Sequence, residues 1–315
     1  MNQTGILYDE RFFLHNTGEH LETELRLKAV YDGIMKSKLK KKLKIFKAVN
    51  CTQYWLEKTH DKNYLEAFQK ACENRSRTFG SNDNIISPQT YETATLAAGG
   101  ILGIVNLIMT GKLNNAFCPV RPPGHHAGYD KAQGYCFINN IAVAARFLQE
   151  KWALDKIAIV DFDAHHGNGT QQIFEQDPGV LFCSIHADPL FSYPFSGYEE
   201  EKGTGPGLGY TLNCPVKPDE RDKNWKKVIK NKIFPALEEF KPQFILVSAG
   251  FDAFEFDVMS KMRITRAGFI WLEKKLIKLA RKYSQKRIIF ILEGGYCMNR
   301  LPDLAADLTK SLLKY

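Results

Sequence analysis

Short apolar runs alternate with longer amphipathic stretches along most of the chain. Apolar or β-branched runs at 116–120, 156–161, 180–185, 210–214, 244–248 and 287–292 predict strands. Apolar residues at helical spacing predict helices over 22–43, 64–74, 91–110, 140–152, 225–239, 265–283 and 301–313. Strands that are apolar throughout bury both faces. Their alternation with helices predicts a mainly parallel central sheet with helices on both faces. No internal repeat and no Pro/Ser-rich linker interrupts the pattern, so residues 1–315 read as one α/β domain, long enough to bury a sizeable core.

The polar residues that break this pattern fall in one kind of place. Segment 121–126 follows the first predicted strand and 161–166 ends the second, while 184–186, 249–252 and 293–296 each follow another. In open α/β sheets, ligands bind at the carboxyl ends of the strands. The chain therefore brings His, Asp, Ser and Tyr to one sheet edge, which is the arrangement of an active site.

Within 161–167 the order is Asp161-Phe-Asp163-Ala-His165-His166-Gly167. Alternate residues at a strand end share a side, so Asp161, Asp163 and His165 can point together. Carboxylate oxygen and imidazole nitrogen are zinc ligands, and a catalytic zinc has three protein ligands with an open position. Asp163 and His165 supply two, and Asp252, in Ser-Ala-Gly-Phe-Asp-Ala, offers the third. A lone Asp after a strand is more often a helix cap, so Asp252 depends on the other two. In Arg121-Pro-Pro-Gly-His125-His126, two prolines and a glycine fix a tight bend from which both histidines can face one pocket. His125, His126, His165, His166 and His186 are five of the eight histidines. In Leu292-Glu-Gly-Gly-Tyr296, two glycines present a phenol that can donate to a developing oxyanion.

Together these motifs resemble the histone deacetylase family. They are RPPGHHA at 121–127, GYCFINN at 134–140, DFDAHHGNGTQ at 161–171, SAGFDA at 248–253 and LEGGY at 292–296. The likeness runs over residues 5–313, and HHGNG with SAGFDA points to its class II side and the bacterial amidohydrolase relatives. The resemblance implies an arginase/deacetylase-like fold with the site at the C-terminal strand ends. It implies hydrolysis of the acetyl amide of N-acetyl-lysine in proteins, histone tails included, with one catalytic zinc on Asp163, His165 and Asp252. His126 is then the general base and acid, and His125 its electrostatic partner. Asp161 stands behind His125, Asn168 stands behind His126, and Tyr296 is the oxyanion donor. The resemblance also implies potassium at Asp161, Asp163, His165, Ser184 and the Ile185 backbone, and a second potassium at Phe174, Asp177, Val180 and Tyr210. Tyr135 and Tyr193 would wall the acyl-lysine tunnel and Gly134 would offer a carbonyl at its floor. Asp83, in a long loop, would grip the substrate backbone, and Arg26 would line an acetate exit. Some class IIa relatives carry His where Tyr296 stands and are poor catalysts; the tyrosine here implies an active enzyme. Leu21 stands where relatives often have Pro, which bears on the entrance loop.

Three alternatives remain open. An arginase-type two-manganese hydrolase needs further carboxylates, where this chain has Gly167 and Phe254. An acetylpolyamine amidohydrolase would share the catalytic core and differ at the entrance. A non-catalytic acetyl-lysine reader would lack a ligand, a dyad histidine or Tyr296, and none is lacking.

Composition adds little to this. The net charge is +8, a modest excess over 44% hydrophobic and 25% charged residues. From Lys36 to Lys47 the chain carries seven lysines, which read as a nuclear address, a nucleosome or nucleic-acid contact, or a solvated helix face. Seven scattered cysteines without a CxxC pair predict a reduced, intracellular chain, cytoplasmic or nuclear. Segment 1–13 has no long apolar run, so no secretory signal is expected. The run 93–109 is broken by glycines and falls short of the ~20 residues of a bilayer span, so it predicts a buried helix and no membrane contact. The glycines at 203, 205, 207 and 209 lack the Lys-Ser/Thr of a phosphate loop.

Overall fold

A computed structural model describes residues 3–36 and 38–314. Among these described residues the ten strands are β1 (Thr4–Leu7), β2 (Leu43–Phe46), β3 (Thr78–Phe79), β4 (Ser81–Ile85), β5 (Asn115–Cys118), β6 (Ile157–Asp161), β7 (Val180–Ala187), β8 (Thr211–Val216), β9 (Phe244–Ala249) and β10 (Ile288–Leu292). Eight of them form a sheet in the order β2-β1-β5-β10-β9-β6-β7-β8, and every pairing in it is parallel. β3 and β4 make a separate antiparallel hairpin. The helices are α1 (Glu24–Met35), α2 (Gln53–Glu57), α3 (Lys62–Glu73), α4 (Thr90–Met109), α5 (Asn140–Trp152), α6 (Asn168–Phe174), α7 (Asp222–Val228), α8 (Phe234–Phe240), α9 (Arg266–Tyr283) and α10 (Leu301–Lys314).

The central strands β5, β6, β9 and β10 are buried at every residue, as their unbroken apolar runs predict. β2 lies at the sheet edge with Lys44 and Ile45 exposed, and a charged residue there discourages further pairing. Helix starts follow local capping: Asp61 accepts from the Tyr64 amide, Asn139 from Ala142 and Thr265 from Gly268. Helix α4 is long and apolar enough to cross a membrane, but 72% of its apolar window is buried in the core. The expectation of a buried helix at 93–109 therefore holds.

Three expectations need correction. The helix predicted over 22–43 ends at Met35; a 3₁₀ turn at Lys40–Lys42 and strand β2 follow, and Ser37 lies outside the described residues. Leu39, Leu43 and Phe46 repeat at helical spacing by coincidence, while backbone pairing to β1 decides the conformation. The lysines of this stretch are exposed, but on a turn and an edge strand instead of a helix face. The helix predicted over 225–239 is helical throughout, but as a π turn and not an α-helix at Ile229–Ile233, between α7 and α8. Pro235 follows that turn and has no N–H to donate. Asp83 stands in β4 of the hairpin, not in a long loop.

Candidate active site

The carboxyl ends of β5, β10, β9, β6 and β7 lie side by side in the middle of the sheet. Hydrogen bonds to carboxylates hold their loops in place. Glu293, just after β10, accepts from the Gly124 amide at 2.7 Å and the His125 amide at 3.2 Å, and from the Ser248 hydroxyl at 3.0 Å. Burial pushes Glu293 up to about 7. After β6, the Asp163 amide donates to Asp161 Oδ1 at 3.0 Å and the His165 amide to Asp163 Oδ1 at 2.9 Å. These successive Asx turns carry the chain off the strand with its donors satisfied. The Ala164 amide donates to Asp252 Oδ1 at 2.7 Å, and the Gly294 amide to Asp163 Oδ2 at 2.7 Å.

Asp163, His165 and Asp252 form one buried group whose ligand atoms lie within 4.8 Å of one another. His165 Nδ1 is 2.9 Å from Asp252 Oδ2 and 3.2 Å from Asp163 Oδ1. Burial and the neighbouring Asp163 carboxylate raise Asp252 to about 7. Burial disfavours charge on His165, yet Asp252 and Asp163 outweigh it and hold the ring well above its usual value. Two buried carboxylates thus draw positive charge into the space between them. The space is kept open by glycine: a Cβ at Gly294 would come within 2.5 Å of Asp252 Oδ2 and 2.6 Å of Asp163 Oδ2. One at Gly250 would strike the Asp163 carboxylate. Two oxygen donors and one nitrogen donor around such a cradle fit a divalent cation.

The two neighbouring histidines are set apart by their partners. His125 Nδ1 is 2.9 Å from Asp161 Oδ2, and His126 Nδ1 is 2.8 Å from Asn168 Oδ1. Burial works against charge on His125, but Asp161, Asp163 and Glu293 overcome it and push the ring up to about 10. For His126, burial and then the charges of His125 and His165 hold it well below its usual value. His125 is therefore the cation and His126 the neutral ring. With Asn168 facing Nδ1, the free electron pair of His126 lies on Nε2.

Tyr296 is fixed from two sides. Its amide donates to Asp257 Oδ2 at 2.6 Å. Arg26 donates to the Gly295 carbonyl at 2.6 Å, the Glu293 carbonyl at 2.7 Å and Glu22 Oε1 at 3.0 Å, and its guanidinium lies 4.4 Å from the Tyr296 ring centroid. Burial holds the phenol well above its usual value against the pull of Arg26, so the hydroxyl keeps its proton.

One cavity of about 240 Å³ joins these groups. Asp83, Gly134, Tyr135 and Tyr193 line it together with His125, His126, Tyr296 and the Asp163–His165–Asp252 group. The Tyr193 and His126 rings lie edge to face at 5.1 Å. Gly134 has φ +55, and a Cβ there would press on the His126 ring. Asp161 and Asn168 stand behind the two histidines, and Arg26 stands behind Tyr296. His166 and His186 turn away: His166 bonds Ser196 and Gln171, and His186 bonds Ser184 and the Gly197 carbonyl. Ser184 and Ile185 are buried on β7, with Ser184 in register with Asp161. Phe174, Asp177, Val180 and Tyr210 gather away from the cavity. The Phe174, Asp177 and Tyr210 carbonyls accept from the Asp177, Val180 and Phe182 amides. The Asp177 carboxylate is engaged by Arg146, Gln149 and the Gly179 amide. Glu293, Asp257 and Met259, which lines the cavity, take part in the site although no motif or spacing singles them out for a role. Glu293 lies in the LEGGY motif and was open to notice; Asp257 and Met259 sit in a loop without periodic signal.

Residues 20–312 match the family described as the histone deacetylase domain. The chain is 38% identical over 299 residues to a "probable deacetylase" of Archaeoglobus fulgidus, covering 93% of this chain and 81% of that one. It is 34% identical to a "histone deacetylase-like amidohydrolase" of Pseudomonas aeruginosa, covering 95% and 83%. The crystal structure of the HDA15 HD domain superposes with a TM-score of 0.93 at 32% identity, over 99% of this chain and 88% of that one. By this match in sequence and in fold, the chain belongs to the histone deacetylase family of hydrolases.

Proposed function

We propose that the protein is a zinc-dependent lysine deacetylase that hydrolyses the acetyl amide of acetyl-lysine in polypeptides and releases acetate. One observation carries this reading: neutral His126, protonated Tyr296 and the Asp163–His165–Asp252 cradle line a single cavity walled by Tyr135 and Tyr193. Asp163, His165 and Asp252 would hold the zinc, which as a Lewis acid polarises the amide carbonyl and lowers the pKa of water. His126 Nε2 takes the proton of the attacking water and returns it to the departing lysine amine. Cationic His125, held by Asp161, gives that step a fixed positive neighbour. The Tyr296 hydroxyl donates to the carbonyl oxygen as negative charge grows on it.

The lysine stem is apolar, and the two tyrosine rings can pack along it. The Gly134 carbonyl would serve as an acceptor at the tunnel floor, and exposed Asp83 can accept from substrate backbone amides at the mouth. Among the described residues lining the cavity, Asp83 is the only carboxylate besides Asp163 and Asp252. The free ammonium ends of an acetylpolyamine would find little to pair with there, which favours a polypeptide. Arg26, behind Tyr296, lies on the side through which acetate would leave.

Potassium would sit at Asp161, Asp163, His165, Ser184 and the Ile185 backbone, and a second at Phe174, Asp177, Val180 and Tyr210. The second set offers carbonyl oxygens that keep a lone pair after one N–H bond. The exposed lysines from Lys38 to Lys47 offer a separate contact to an anionic partner. Neutralising Lys40, Lys41 and Lys42 would then weaken DNA binding at low salt and flatten its salt dependence. The test of the main reading is kcat/KM on acetyl-lysine peptides against acetylpolyamines, with zinc added back to chelated protein. Faster turnover of the polyamines, or turnover without metal, would refute it.

A further inference from the structure

Two loops each send one side chain into the cavity and leave large apolar neighbours in water. After β7, Tyr193 lines the cavity while Leu190, Phe191 and Phe195 are 67%, 64% and 65% exposed. After β9, Met259 lines it while Val258 is 72% exposed. Single exposed apolar residues are ordinary, but a group beside a site mouth marks a contact surface. The two acids nearest these residues, Asp188 and Asp257, are turned to backbone. Asp188 Oδ1 accepts from the Leu190 amide at 3.0 Å, and Asp257 accepts from the Met259, Tyr296 and Cys297 amides. The exposed Leu190, Phe191, Phe195 and Val258 beside them are apolar.

Phe195 adds an independent sign. Its φ is +63, in the left-handed region where a bulky side chain costs energy and glycine would be at ease. A side chain kept there at such exposure gains nothing from the core. Strain held without a packing return points to use.

We infer that Leu190, Phe191, Phe195 and Val258 form a collar that reads large apolar residues flanking the acetyl-lysine of a polypeptide. This rests on the acetyl-lysine reading of the cavity beneath. A flanking Leu or Phe removes its own surface and that of the collar from water, while a polar or glycine flank leaves the collar wet. Leu190, Phe191 and Phe195 flank Tyr193 and Val258 adjoins Met259, both of which line the cavity, so a peptide threaded by its acetyl-lysine passes beside the collar. Preference at the collar therefore appears mainly in KM.

The test compares three substrates on the zinc-loaded protein: acetyl-lysine amide without flanks, a peptide with Leu and Phe beside acetyl-lysine, and the same peptide with Gly and Ser. The apolar-flanked peptide is expected to have about ten-fold higher kcat/KM than the Gly/Ser peptide, the scale of one well-buried apolar side chain. Phe195→Gly, which suits the backbone, and Phe191→Ser with Val258→Ser should erase that ratio and leave turnover of the unflanked amide unchanged. Equal kcat/KM for the two peptides, or a preference that survives the substitutions, overturns the collar alone. No hydrolysis of any of the three overturns the reading of the cavity and the collar with it. A parent protein that sediments as a dimer, while the substituted one is a monomer, would show that a second copy covers the collar and would also overturn it.

Discussion

The Arg26 guanidinium lies 4.4 Å from the centroid of the Tyr296 ring and donates to the carbonyl of Gly295 beside it. A cation fixed over the ring and a buried, protonated phenol make Tyr296 a prepared donor. Tyr296→Phe keeps the ring and deletes the hydroxyl. Acetyl-lysine kcat should fall by ~10²–10³, with zinc content and melting temperature unchanged. Turnover at the parent rate would remove Tyr296 from the mechanism.

Metal content should respond to one ligand and to one residue that is not a ligand. Asp252→Ala leaves two donors, and bound zinc measured by elemental analysis should drop with turnover. Gly294→Ala changes no ligand, yet its Cβ would crowd both Asp252 and Asp163. It too should lower zinc occupancy. Stoichiometric zinc in Gly294→Ala would show that the cradle tolerates the methyl group.

Asn168 is expected to act only through His126. Asn168→Ala removes the acceptor 2.8 Å from His126 Nδ1 and frees the ring to take the other tautomer. The loss should appear in kcat, within the ~10²–10⁴-fold that general base catalysis supplies, with KM little changed. A change in KM alone would point to substrate binding instead.

Away from the site, Glu273 on α9 is buried and accepts from Ser311 on α10 at 2.9 Å. Burial raises its pKa from the ordinary carboxyl value of about 4.5 to about 8. Between those values the folded protein binds a proton that the unfolded chain does not, so stability is greatest below pH ~4.5 for this group and declines as pH rises toward ~8. Glu273→Gln should remove that decline, raising stability at pH 8 relative to pH 5 by roughly a few kcal/mol against the parent. Denaturant titrations of both proteins at the two pH values measure it, and parallel pH dependences would contradict the assignment.

Much of the active-site edge was legible before the fold. The apolar runs that became β5, β6, β7, β9 and β10 carry no alternation because both faces are covered, and the residues that end them are the ones that line or back the cavity. Local pattern was a poorer guide where pairing is long-range. β1 and β2 have four residues each, too few to show a period. β2 also follows lysines and leucines spaced like a helix, and its conformation comes from hydrogen bonds to a strand nearly forty residues earlier.

By itself the sequence determined the chemistry on offer: which strand ends carry His, Asp and Tyr, and that Gly294 can stand where a Cβ would collide. Tertiary structure decided what each group became. His125 and His126 are the same residue type, adjacent in the chain, yet Asp161 helps make one a cation, while burial and the charges of His125 and His165 leave the other a neutral base whose tautomer Asn168 sets. Charge state depends on burial and on carboxylates that approach from other strands. Those distances are set only when the sheet assembles.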